Sequence, residues 1–298
     1  MLRNHRTFYW IFAGLAVAAA ACWIFNLAYY REGQLEKPVF LTHYIETEND
    51  EGTLFDLYVL ENLEEEQQIA QIRIPGLERA QIAVSSRSSY RNQELVKYTV
   101  QLAGESADDV RFTARSSDWP LVFKQIEVDY ADGTRSTENI GEIHLYPRPS
   151  AEPVLTVPQS MSSNGQEGQS TLQAEEDLRI TGVDTGFEVG LGSRLELYWG
   201  DEVGEWDFDQ PLEEWGRGSL LGEAKFPMEL KKGGTTKLGY RFLDQADDDW
   251  ATVYRLMPRI RTESSDGTSR ILSVFVDYAP YPDEQQIRRF IKERREES

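Results

Sequence analysis

From Phe8 to Tyr30 the chain carries no charged residue, a longer apolar run than the ~20 residues a helix needs to cross a ~30 Å hydrocarbon core. Tyr9 and Trp10 stand at one end and Tyr29 and Tyr30 at the other, as interfacial aromatic belts do. Arg3, His5 and Arg6 precede the run, whereas Arg31 is followed at once by Glu32. The positive-inside bias therefore predicts a cytoplasmic tail over 1–7, a transmembrane signal-anchor over 8–30, and export of everything beyond a short stalk at 31–38. Two processed forms compete with a retained anchor: cleavage after the small residues Ala19-Ala20-Ala21, and lipidation at Cys22. Against both, Trp23 to Tyr30 continues apolar past the site, where a cleaved signal turns polar after an apolar core of ~7–15 residues. All three forms predict that the bulk of the chain lies outside the cytoplasmic membrane.

Cys22 is the single cysteine among 298 residues, so the exported part has no disulfide, no thiol chemistry and no cysteine-ligated metal. It must instead build hydrophobic cores, as bacterial surface proteins commonly do. The formal net charge is −20, with the acid excess shared along the chain. Such a surface repels nucleic acid and anionic headgroups and keeps a protein soluble beside an anionic wall.

After the stalk the pattern becomes short alternating strands with turns between them. Lys97 to Leu102 places Tyr98, Val100 and Leu102 on one face, and Gln125 to Tyr130 alternates before an Asp132-Gly133-Thr134 turn. This predicts a β-sandwich over 39–147. A second block over 175–281 repeats the habit: Leu195, Leu197 and Trp199 share one face, and Leu238, Tyr240 and Phe242 another. Both blocks close on one weak repeat. Trp119 leads to Asp132-Gly133-Thr134, a closing strand and Pro147; Trp250 leads to Asp266-Gly267-Thr268, a closing strand and Pro280. At the level of fold alone the pair resembles tandem immunoglobulin-like or fibronectin-III-like domains, without the Cys…Trp…Cys core of true immunoglobulin domains. Between them, 148–174 is rich in proline, then serine, glycine and glutamine, and reads as a linker able to separate the domains by several tens of ångströms. The remaining segment, 282–298, reads as a capped amphipathic helix. Asp283 is its N-cap and Gln286 completes a capping box; Ile287, Phe290 and Ile291 form a narrow apolar stripe among Arg288, Arg289, Lys292, Arg294 and Arg295. It is a candidate docking helix for a partner or lipid headgroups, against the simpler reading of a helix packed on the second domain.

Candidate sites are few. Trp199, Trp206 and Trp215 lie with Asp207, Asp209 and further acids in a long base-free loop, a composition suited to glycan binding through ring stacking and hydroxyl-accepting carboxylates, or to a calcium ion. Asp244, Asp247, Asp248 and Asp249 form a second acidic cluster and a weak metal candidate, without the spacing of an EF-hand loop. Only His5, His43 and His144 are available for acid–base work, and no nucleophile elbow, phosphate loop or His-Glu-x-x-His motif occurs. No catalytic residue and no cofactor is predicted, apart from calcium as an option. Together these features predict a mainly β, single-pass, extracytoplasmic protein of a bacterial cell envelope: a non-catalytic interaction or scaffold module, an accessory subunit of a membrane complex among the options. The alternatives are a glycan- or wall-binding module and a calcium-stabilised surface module. The predicted partners are the membrane, through Phe8–Tyr30, a protein in or outside it, and cell-wall glycan under the alternative reading.

Overall fold

Helix α1 (Arg3–Glu32) contains the apolar run, and its Phe8–Arg31 segment has a mean hydropathy of 2.0 with none of it buried against the rest of the chain. The structure, a computed structural model, describes residues 3–63, 68–103, 120–149, 151–163, 166–187, 194–203, 217–243 and 249–297. The first block supplies β1 (Val39–Phe40), β2 (Thr42–Asn49), β3 (Leu54–Asn62), β4 (Ile69–Arg73), β5 (Gln81–Ser89), β6 (Gln93–Gln101), β7 (Leu121–Tyr130) and β8 (Arg135–Pro147). A four-stranded sheet in the order β1-β3-β6-β5 faces β2, β8, β7 and β4. Alternation turns Phe55, Leu57 and Val59 of β3, with Val96, Tyr98 and Val100 of β6, onto Ile45, Ile126, Val128, Ile143 and Leu145 from the opposing strands.

The second block supplies β9 (Leu155–Ser163), β10 (Glu167–Ala174), β11 (Leu178–Asp184), β12 (Leu195–Val203), β13 (Arg217–Leu220), β14 (Met228–Leu230), β15 (Thr235–Phe242), β16 (Thr252–Leu256), β17 (Arg259–Ser264), β18 (Ser269–Ser273) and β19 (Val276–Tyr278), before α2 (Glu284–Glu297). One sheet runs β13-β12-β15-β10-β9 and the other β14-β11-β17-β18, enclosing Leu155, Leu172, Ile180, Trp199, Leu238 and Ile260. The two Asp-Gly-Thr turns are built alike. In each, the aspartate Oδ1 accepts from the threonine N–H at 2.8 Å, and the glycine sits at φ +85° in one and +83° in the other. That left-handed position favours glycine, and the turns join β7 to β8 and β17 to β18.

The structure departs from two expectations here. The linker read over 148–174 is largely the hairpin β9–β10, paired from Leu155↔Ala174 to Ser163↔Glu167. One face of β10 is buried in alternation, the small Gly168, Ser170 and Ala174 with Leu172. A Cβ on Gly168 would lie 2.5 Å from the Tyr240 ring. The glycine there admits a tyrosine rather than loosening the chain. Pro158 is tolerated because β9 is an edge strand, where a missing N–H breaks no ladder.

Nor does the block 175–281 close on itself. Strand β16 leaves it and pairs in parallel with β2, Thr252↔Thr42 to Arg255↔Ile45, and β19 pairs with β16. The first sandwich thereby acquires a six-stranded sheet, β19-β16-β2-β8-β7-β4. Along this seam Tyr254 stacks between Tyr44 and Phe242, each at 5.5 Å between centroids. The carboxylate of Glu46, fully buried, accepts from the Met257 N–H at 2.9 Å and from the Tyr146 hydroxyl at 3.0 Å. Ser273 donates to Glu48 at 2.6 Å, and the Arg259 guanidinium lies 4.0 Å over the Tyr146 ring. A partly buried seam held by strand pairing, aromatic stacking and buried hydrogen bonds leaves no room for domains separated on a tether.

Candidate functional site beside the apolar helix

The sequence of α2 caps itself as expected. Asp283 Oδ1 accepts from the N–H groups of Gln285 and Gln286 at 2.7 and 2.8 Å, and Gln286 Oε1 accepts from the Asp283 N–H at 2.8 Å. Its apolar stripe is not offered to a partner. Ile287 and Ile291 are 1% and 2% exposed and pack with Leu35, Leu41, Leu60, Leu95, Trp250 and Val253. Phe290 meets Trp250 edge-on at 5.3 Å. Ile287 and Ile291 are thus withdrawn from the docking set by burial, and Phe290 is half-buried; the helix rests on the first sandwich rather than the second. Arg288 and Arg289 remain exposed.

This placement brings the last helix beside the end of the first. Arg295 Nη1 donates to the Arg31 carbonyl at 3.0 Å, across almost the whole chain. The stalk is pinned as well. Asn62 exchanges hydrogen bonds with the Leu35 backbone at 2.9 Å in both directions, and Gln93 Nε2 donates to the Gly33 carbonyl at 2.6 Å. The Arg91 guanidinium lies 5.9 Å over the Tyr29 ring. Between α1 and α2 these side chains leave a cleft of about 310 Å³, lined by Tyr29, Tyr90, Arg91, Glu284, Arg288 and Lys292 among others. Arg288 and Lys292 each have a carboxylate one turn away, Glu284 and Glu296, both at 3.9 Å. Burial raises the Tyr90 phenol, keeping it a hydrogen-bond donor at neutral pH. Sequence reasoning found Arg288 and Tyr29 separately. Nothing in the sequence linked them to Tyr90 and Arg91, which lie in the turn between β5 and β6.

The other candidates fare differently. Trp199 is 2% exposed and packs edge-on against Phe226 in the second core, so its faces are filled by protein and no sugar can stack there. Trp206, Trp215, Asp207 and Asp209 lie outside the described residues, as do Asp244, Asp247, Asp248 and the side chain of Asp249. Among the described residues no group of three or more His, Cys, Asp and Glu could hold a metal ion. His144 is half-buried: its Nε2 lies 3.0 Å from Glu142 and its ring 4.2 Å from Phe187. His43 is wholly buried, and its Nε2 accepts from the Tyr58 N–H at 2.8 Å. Burial lowers its pKa from 6.5 to about 4, leaving a neutral, structural imidazole at pH 7.

No family model matches the chain. No curated protein matches it either. Among solved structures it is similar to the YadV chaperone (9% identity, 80% of this chain and 99% of that one, TM-score 0.23). It is also similar to fibronectin(III)-like modules of Clostridium thermocellum CbhA (7% identity, 81% and 94%, TM-score 0.20). A third is the Enterococcus faecalis MSCRAMM ACE, which binds its ligands by the collagen Hug model (8% identity, 81% and 94%, TM-score 0.21). At these scores the likenesses carry no argument about function. The fold class is the expected one in outline: mainly β, with packed sheets between an N-terminal apolar helix and a short C-terminal one.

Proposed function

We propose that this chain is a non-catalytic interaction or scaffold module of a bacterial cell envelope. It is held in the cytoplasmic membrane by α1 with its N-terminus inside and its folded part outside, as an accessory subunit of a membrane complex. One observation carries the reading: α2 returns to cover the first sandwich beside the end of the apolar helix, with Arg295 on the Arg31 carbonyl and Ile287 and Ile291 buried against Leu35. A chain whose first and last helices meet at the bilayer, and whose second block lends two strands to the first sandwich, holds its outer surface at a fixed place relative to the membrane. That is what a subunit needs to present a binding face, and it requires no reaction. The acid excess suits basic or cation-coated partners.

Affinity recovery of the full-length protein from crosslinked native membranes, followed by mass spectrometry, tests the reading. One abundant co-purifying membrane protein is the expected result. Recovery of wall polysaccharide without a protein partner would overturn it in favour of a glycan-binding module.

A further inference from the structure

We propose that the cleft between α1 and α2 binds the phosphate of an anionic phospholipid in the leaflet from which α1 emerges, an inference that rests on α1 spanning the membrane. The chain carries a net charge of −20, yet three exposed cations, Arg91, Arg288 and Lys292, converge on this one cleft, with Glu284 the only acid among its lining residues. They come from two elements far apart in sequence, the β5–β6 turn and α2, so their meeting is a product of the fold rather than of a basic run. Guanidinium groups match phosphate oxygens with paired donors, and an ammonium adds a point charge. Tyr90 and Asn92, also in the lining, offer neutral donors for a headgroup hydroxyl. The volume of about 310 Å³ suits a headgroup and not a peptide or folded partner.

The position of the cleft selects lipid over a soluble anion. Tyr29, one of its lining residues, stands in the aromatic belt at the end of the apolar helix and is 56% exposed. One turn back along the same face stands Phe25, 75% exposed. A phosphate seated on Arg91, Arg288 and Lys292 would therefore have bare apolar helix directly below it, where acyl chains lie. Beside the apolar helix the cleft sets three cations against one described lining acid, a local balance that draws anionic lipid.

The test uses the full-length protein in nanodiscs of phosphatidylcholine with a minor fraction of phosphatidylglycerol, reading retained lipid by native mass spectrometry after release. The wild type is expected to retain phosphatidylglycerol in preference. Each cation near a bilayer surface is worth about fivefold. R91Q/R288Q/K292Q should lose the preference by roughly a hundredfold, and R91Q alone by about fivefold. R289Q/R294Q, at positions on α2 outside the cleft lining, should keep it. A triple variant that keeps its preference overturns the proposal. So does an R289Q/R294Q variant that loses as much, since that is the mark of diffuse attraction. Inorganic phosphate without lipid should leave the melting temperature unchanged; a rise matching that given by phosphatidylglycerol would assign the cleft to a soluble anion instead. Alkaline carbonate washing separates the two levels of the argument. Release of the protein from membranes removes the anchor on which the proposal rests, whereas a retained protein without headgroup preference removes the lipid site alone.

Discussion

The core of the first sandwich and the seam that fastens it to the rest of the chain are built in opposite ways. The core draws its large residues, Phe55, Leu57, Val96, Val100, Ile126 and Ile143 among them, from a single stretch between Phe40 and Leu145. The seam joins Tyr44 to Tyr254, Glu46 to Met257, and Leu35 to Ile287, pairs some two hundred residues or more apart. The core is dominated by aliphatic side chains; the seam mixes stacked rings, a buried carboxylate and one parallel strand pair. Period-2 alternation specifies the first kind of contact locally. The second kind exists only once the chain has doubled back.

If the seam is as firm as the core, lesions in either should damage one and the same folding unit. Ile143→Ala removes a fully buried side chain from the core, and Tyr254→Ala removes the ring stacked between Tyr44 and Phe242. Each should lower stability by about 4 kcal/mol while leaving a single denaturant transition. A transition that splits only in Tyr254→Ala would show a seam weaker than the core.

A second break uses pH at His43, which sits on the seam strand β2 opposite Val253. The folded site holds the imidazole neutral down to about pH 4, whereas the unfolded chain takes up a proton near 6.5. Stability from this group is therefore complete above pH 6.5 and lost as pH falls to about 4, roughly 3 kcal/mol in all. Melting curves across that range should flatten by this amount in His43→Gln; an unaltered slope would contradict the burial of a neutral imidazole.

Glu46→Ala leaves the Met257 N–H and the Tyr146 hydroxyl without their acceptor, at a cost of about 2 kcal/mol. Hydrogen exchange at Met257 should accelerate with it. The smallest effect belongs to Lys124→Ala, whose 2.6 Å pair with Glu142 is largely solvent-exposed; stability should change by under ~0.5 kcal/mol.

The contrast also explains what the residues could reveal beforehand. The apolar helix, the alternating faces around Tyr98 and Tyr240, the paired Asp-Gly-Thr turns and the capping box at Asp283 are local patterns, and each is where the sequence puts it. The pairing of β9 with β10 is hard to read because Gly168 makes way for the Tyr240 ring and Ser170 bonds Ser160 across the strands, and small polar residues look like linker. Trp199 looked like a ring for sugar because no pattern gives its partner, Phe226. The cleft beside α1 is hidden for the same reason as the seam: Arg91 carries no signal until α2 is laid beside it.

Scanning calorimetry of the full-length protein in detergent tests most directly whether both sandwiches and α2 form one body. One transition is expected, with calorimetric and van't Hoff enthalpies in agreement and a total near 0.7 kcal/mol per residue of the part beyond α1 at about 60 °C. Two separable transitions, each carrying roughly half of that enthalpy, would mean that the sandwiches fold independently and that the seam does not hold them together.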